Sequence, residues 1–234
     1  MRSLPGPEKV IGFGDSRPPF DAHCSLLSLP HVLKTTLQTV PVHVPYLHAD
    51  PSAIQVWAGR LPEDAGLRVG IVWAGSSHRE DAGAHLIDQR RSTTREAFAA
   101  LADIPGIHLV SLQKPERSET PAPLANFALI DLMPGVTDFA DTAALIANLD
   151  LVISVDTSVA HLAGALGQRV WLLSRYDACW RWLRDRSDSP WYPHLRIYRQ
   201  PRPHDWSDVI ARVRHDLIVW TSETNRRSSV APAT

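Results

Sequence analysis

A chain of 234 residues with 44% hydrophobic content can bury a sizeable core, as one large domain or one domain with an appendage. Its 24 Lys and Arg against 25 Asp and Glu leave almost no net charge, so bulk charge draws it neither to nucleic acid nor to an anionic membrane, and recognition must rest on local charge. The two cysteines, Cys24 and Cys179, are too few and too far apart for a disulfide framework or a metal cluster, the opening "MRSLPGPEKVIGFGDSRPPF" lacks the apolar stretch of a signal peptide, and no run of about 18 apolar residues could span a bilayer; the expectation is a cytoplasmic, soluble protein.

Residues 1–66 are rich in Pro and His and show little periodicity apart from a predicted helix near Ser52 to Arg60. They read as a linker or a domain remnant. Regular alternation begins at Leu67: "LRVGIVWAG" predicts a buried strand, "TTREAFAALAD" a helix capped by Thr93 or Thr94, and "GIHLVSLQ" a second strand. "FALIDL" predicts a third strand, "DFADTAALIANL" a helix, "DLVISV" a strand, "SVAHLAGAL" a helix ended by Gly167, and "RVWLLS" a further strand. Strands alternating with helices imply βαβ units, and hence a Rossmann-like parallel sheet of about five strands over residues 67–220. The stretch after Ser174 predicts a short helical piece with Trp180, Trp182 and Trp191, "DWSDVIARVRHDL" predicts a last helix, and residues 221–234 read as a disordered tail.

The end of "DLVISV" carries the chemistry. In open parallel sheets ligands sit outside the carboxyl ends of the strands, where the next helix offers unpaired N–H groups and a positive dipole end. "DTS" lies at such a junction. Thr157 or Ser158 can cap the helix or donate a hydroxyl to a phosphate oxygen, and Asp156 can orient the turn or accept from a ribose hydroxyl; His161, one turn further, is a ligand group or a packed histidine. The long connection "SSHREDAGAHLIDQRRS" holds His78, Arg79, Arg90 and Arg91 balanced by Glu80, Asp81 and Asp88, and is either a phosphate clamp or a solvated loop. Lys114 follows the second strand as a point charge at the same sheet edge. Three such junctions at one edge suggest a nucleotide diphosphate. "GFGDS" and "WAGSS" do not make the dinucleotide fingerprint, and P-loop, HExxH, CxxC and G-x-S-x-G patterns are absent. Trp180, Trp182, Trp191 and Tyr192 stack on a ligand or cover the sheet, whereas Trp171 and Trp206 are expected to pack.

"VISVDTSVAHLAGALGQRVWLL" resembles the nucleotide-sugar-binding segment of the ADP-heptose:lipopolysaccharide heptosyltransferase family. With "VGIVWAG", "RRS", "VSLQK", "DLMPGVTDFADTAALIANLD" and "WRWLRDRSDSPWYPHLRIYRQ", the chain is similar to the glycosyltransferase-like C-terminal half of bacterial tetratricopeptide-repeat proteins, over roughly residues 12–217. The resemblance implies the C-terminal half of a GT-B glycosyltransferase, preceded by a truncated acceptor-side domain. It implies transfer of a sugar from a nucleotide-diphosphate donor without a metal or other cofactor. It places Asp156, Thr157, Ser158, His161, Lys114, Arg91 and Ser92 at the donor diphosphate and Asp138, Thr142 and Gln113 at the base or ribose. It assigns no catalytic base. Residues 1–66 lack the βαβ units of an acceptor domain, so a partner chain or self-association is expected to supply one. Two other functions stay open: a sugar-nucleotide epimerase on the same architecture, and a non-enzymatic interaction module.

Overall fold

In the computed structural model, which describes residues 7–77, 80–114 and 127–230, six parallel strands form one sheet. They are β1 (Leu67–Val72), β2 (Ile107–Ser111), β3 (Leu129–Asp131), β4 (Leu151–Val155), β5 (Val170–Ser174) and β6 (Leu195–Arg199), in the order β3-β2-β1-β4-β5-β6. All five residues of β4 are buried, as are all five of β5, because helices cover both faces of a parallel sheet. Alternate side chains feed two cores. Val72, Val110, Leu112, Val152 and Leu172 point to one side, and Val69, Ile71, Leu109, Ile153 and Leu173 to the other.

The first core is closed by α4 (Phe139–Ile146) and α5 (Ser158–Ala165), joined by α2 (Pro51–Ala58) from upstream of the sheet; a four-residue helix, α1 (Leu29–Val32), lies further out with no buried residue. Asp50 caps α2 by accepting from the backbone N–H groups of Ser52 (2.8 Å) and Ala53 (3.0 Å). Trp57 and Leu61 then enter the sheet's own core, and the backbone N–H of Tyr46 donates to the Ala165 carbonyl at 3.0 Å. Residue 66 therefore ends the irregular sequence but not the packing unit. The second core is closed by the 3₁₀ segment Arg95–Leu101, through Phe98 and Leu101, and by α6 (Trp206–Val230), through Val209, Val213 and Leu217. Thr94, one of the two caps expected, caps this segment, which is 3₁₀.

Gly167 stops α5 as expected. It adopts φ 77°, and its N–H donates to Gly164 O while that of Gln168 donates to Ala163 O, each at 3.0 Å, a left-handed helix end that favours glycine.

Three features depart from the sequence reading. The sheet has six strands, not five, because "LRIYR" pairs in register with β5 from Val170↔Leu195 to Ser174↔Arg199. The connection after β1 contains a helix, α3 (Ala82–Arg91), with Asp81 as its cap; His78 and Arg79 lie outside the described residues. Finally, α6 continues through residues 221–230, where a disordered tail was expected. Its early Ser and Thr residues are accommodated by hydroxyl bonds to the preceding turn, such as Thr221 Oγ1 to Ile218 O at 2.9 Å and Thr224 Oγ1 to Trp220 O at 3.0 Å. Residues 231–234 are not among those described.

Candidate functional site

Connections run outward from β1 through β2 to β3, and from β4 through β5 to β6, so the direction of winding reverses between β1 and β4. That reversal opens a crevice at the carboxyl ends of the strands. A cavity of about 650 Å³ occupies it. Val72, Leu112, Met133, Val136 and Val159 make an apolar floor, and Arg91, Lys114, Thr137, Asp138, Thr157 and Ser158 a polar rim.

Three junctions furnish the rim. Thr157 takes the N-cap position of α5 but makes no side-chain cap bond, because its hydroxyl meets the Ser154 hydroxyl at 3.0 Å. The first turn of α5, with Thr157, Ser158 and Val159 all lining the cavity, thus presents its positive end to the void without a side-chain oxygen from its cap. The start of α4 is different: Asp138 Oδ1 accepts from the N–H groups of Ala140 (2.8 Å) and Asp141 (3.1 Å), so that helix end is already capped. Thr142 donates to the Asp138 carbonyl at 2.9 Å and lines the wall.

Arg91 ends α3. Its Nε donates to Asp88 Oδ1 at 2.9 Å and its Nη1 to the Asp156 carbonyl at 3.2 Å, so the guanidinium bridges from α3 to the end of β4. Ser92 accepts from the Gly75 N–H at 3.1 Å and fastens the loop after β1 rather than lining the cavity. Lys114, exposed at the rim, donates to the Val136 carbonyl at 3.2 Å. Gln113 lines the cavity, but its carboxamide oxygen already accepts from the N–H groups of Ala74 (2.9 Å) and Trp73 (3.2 Å).

Asp156 and His161 lie beside the cavity, not on its wall. His161 stacks on the fully buried Trp182 with ring centroids 5.1 Å apart, its Nδ1 meets the Tyr192 hydroxyl at 3.1 Å, and its Nε2 stands 3.8 Å from the Asp156 carboxylate. Burial lowers its pKa, with Asp156 opposing that shift and Arg181 adding to it. Of the aromatic residues left open, Trp182 and Tyr192 are core residues; Trp180 is exposed, and Trp191 donates its indole N–H to the Arg181 carbonyl. Trp171 is buried and Trp206 packs against the second core, as expected.

Sequence reasoning named Asp88 only as a charge balancing the arginines, and it missed Phe139. Asp88 is buried in a helix read as a loop, and its spacing three residues before Arg91 was the available signal. Phe139 is 58% exposed at the cavity, and the signal was an aromatic placed directly after a helix cap. Among the described residues no group of three or more His, Cys, Asp or Glu side chains comes together to hold a metal ion, and no helix is long and apolar enough to cross a membrane.

Fold and crevice together define an α/β, Rossmann-like domain with a cavity, lined in part by Arg91, Lys114 and the start of α5, at its switch point. Residues 107–176, from β2 to just beyond β5, match glycosyltransferase family 9 (heptosyltransferase). Among curated proteins, the chain is 25% identical over 188 residues to Protein FlbA of Caulobacter vibrioides, covering 77% of this chain and 30% of that protein. Among solved structures, E. coli ADP-heptose LPS heptosyltransferase II overlaps 81% of this chain and 58% of its own with a TM-score of 0.50 at 12% identity, a likeness of fold. E. coli heptosyltransferase WaaC with ADP overlaps 80% of this chain and 53% of its own, with a TM-score of 0.41 at 18% identity. The chain thus spans less than two thirds of the length of each of these relatives.

Proposed function

We propose that this chain is the donor-binding part of a glycosyltransferase, taking a nucleotide-diphosphate sugar in the switch-point crevice. The observation that carries the reading is the meeting, on one cavity, of the α5 N-terminus with Arg91 and Lys114. A diphosphate seated there would receive backbone N–H groups and two cations, and Phe139 offers a face for the base. In transfer, an acceptor hydroxyl attacks the anomeric carbon, the bond from that carbon to the diphosphate oxygen breaks, and the same groups stabilise the charge that develops on the leaving diphosphate. Asp138 and Thr142 are the base-side neighbours in this reading. Asp156 acts through the Arg91 contact of its carbonyl, and His161 through its place beside the Asp156 carboxylate. Acceptor contacts and the base that takes the acceptor proton are assigned to another domain, whether from a longer chain with a tetratricopeptide-repeat context, a partner or a second copy. The setting proposed is cytoplasmic, and no cofactor enters the step.

A second reading, a binding module without transfer activity, is favoured by one observation. Residues 10–46 expose large apolar side chains in series, among them Phe13, Phe20, Leu26, Leu27, Leu33 and Leu37, which suits a segment docked on another protein surface.

A thermal-shift screen against UDP, GDP, ADP, CMP and dTDP separates the two. On the first reading one nucleotide raises the melting temperature by mass action, and the Thr157→Val, Lys114→Ala double variant loses that shift. No shift at millimolar ligand with folded protein would leave the crevice empty of this function and favour the module.

A further inference from the structure

We propose that Asp88 is a positioning residue, which sets the Arg91 guanidinium for the diphosphate without touching the ligand. The inference rests on the reading of the crevice as a nucleotide-diphosphate site. Asp88 is only 7% exposed and does not line the cavity, yet a buried carboxylate is costly unless it is paired and hydrogen-bonded. Its Oδ1 accepts from Arg91 Nε at 2.9 Å and from Ser92 Oγ at 3.3 Å. The Asp156 carbonyl holds Nη1 of the same guanidinium at 3.2 Å. Two bonds on one planar fork fix its plane as well as its position, which a single bond would not do.

Gly75 closes a third side. A Cβ there would overlap both the Arg91 guanidinium and the Asp88 carboxylate, so the loop after β1 lies directly against the pair. The Gly75 N–H also donates to Ser92 Oγ, which ties that loop to the group that Asp88 holds. Neither the Asp88 nor the Asp156 bond uses Nη2, and Arg91, Gly75 and Ser76 all line the cavity. Asp88 thus stands behind the guanidinium as seen from the void. Without it, Arg91 would have a half-buried charge lacking its carboxylate, and a long side chain that a ligand must order at its own expense.

Shape and charge make opposite predictions. If Asp88 acts only as a counter-charge, removing that charge leaves Arg91 more attractive to an anion, and both Asp88→Asn and Asp88→Ala bind a diphosphate more tightly. If Asp88 positions, Asp88→Asn retains an acceptor of the same shape and stays close to wild type, whereas Asp88→Ala loses roughly tenfold, the scale of ordering one long side chain.

The experiment is calorimetric titration of the purified chain with UDP, GDP, ADP and dTDP, and with the matching nucleosides. Asp88→Asn, Asp88→Ala, Arg91→Ala and the Asp88→Ala, Arg91→Ala double variant are compared with wild type. The expected result is a loss in Asp88→Ala confined to the diphosphate, recovery in Asp88→Asn, and a double variant no weaker than Arg91→Ala alone. Unchanged or tighter diphosphate binding by Asp88→Ala overturns the role, as does an equal loss of nucleoside and diphosphate or a double variant weaker than Arg91→Ala. Wild-type protein that binds none of the four diphosphates overturns the nucleotide reading itself, a result distinct from failure of the Asp88 variants alone.

Discussion

Replacing Gly164 with alanine is expected to push Tyr192 off α5 and disturb the packing that keeps His161 beside the crevice. A Cβ at residue 164 would stand 2.6 Å from two ring carbons of Tyr192 and 3.0 Å from a third. Carbon pairs pack at about 3.5–4.0 Å, so the ring must retreat by about 1 Å. It has little room: Tyr192 is 8% exposed, with its ring centroid 5.8 Å from His161 and 6.5 Å from Trp182. Overpacking of this kind costs about 1–3 kcal/mol, while Gly→Ala inside a helix returns about 1 kcal/mol, so the net expectation is a loss of about 1 kcal/mol. For a domain of this size that is a fall in melting temperature of about 2–4 °C. Calorimetry on Gly164→Ala in the wild-type and Tyr192→Ala backgrounds completes a double-mutant cycle. With the ring gone the same substitution should become neutral or stabilising. An equal cost in both backgrounds, or a higher melting temperature in the first, would refute the reasoning.

Two further outcomes follow from the same packing. Because burial holds the His161 pKa below the ordinary histidine value, the unfolded chain binds a proton more readily than the folded one. Its contribution to stability is full above about pH 6.5 and is lost as pH falls through the lowered value. Urea titrations between pH 7 and pH 5 should show a steeper decline for wild type than for His161→Gln, and parallel declines would contradict the assignment. Trp57→Ala, which removes a ring only 4% exposed from the core shared by α2 and α4, is expected to cost about 3–5 kcal/mol by chemical denaturation; a cost near zero would mean that residues 51–61 are not part of the folded unit.

The amino-acid sequence by itself determined the strands whose apolar runs are continuous and the helices whose caps are local. β1 to β5, α2, α4, α5 and the first half of α6 were legible for this reason, as was the left-handed glycine that stops α5. It also placed Lys114, Arg91 and Thr157 at one sheet edge, since a parallel βαβ series puts every strand's carboxyl end on the same side. Tertiary structure decided the rest. "AGAHLIDQRR" has no apolar face to announce a helix; it is held by the Asp81 cap, a bond between His85 and the Ser77 carbonyl at 2.7 Å, and the Arg90–Asp177 pair at 2.8 Å. "LRIYR" sits among Trp, Pro and Arg residues and becomes a strand only because β5 offers an open edge. His161 carries the spacing of a ligand group, but Trp182 and Tyr192, remote in the chain, cover its ring. Local pattern records propensity and capping, which act over a few residues. Whether a polar side chain faces a void or a neighbouring ring depends on segments that meet only when the sheet has closed.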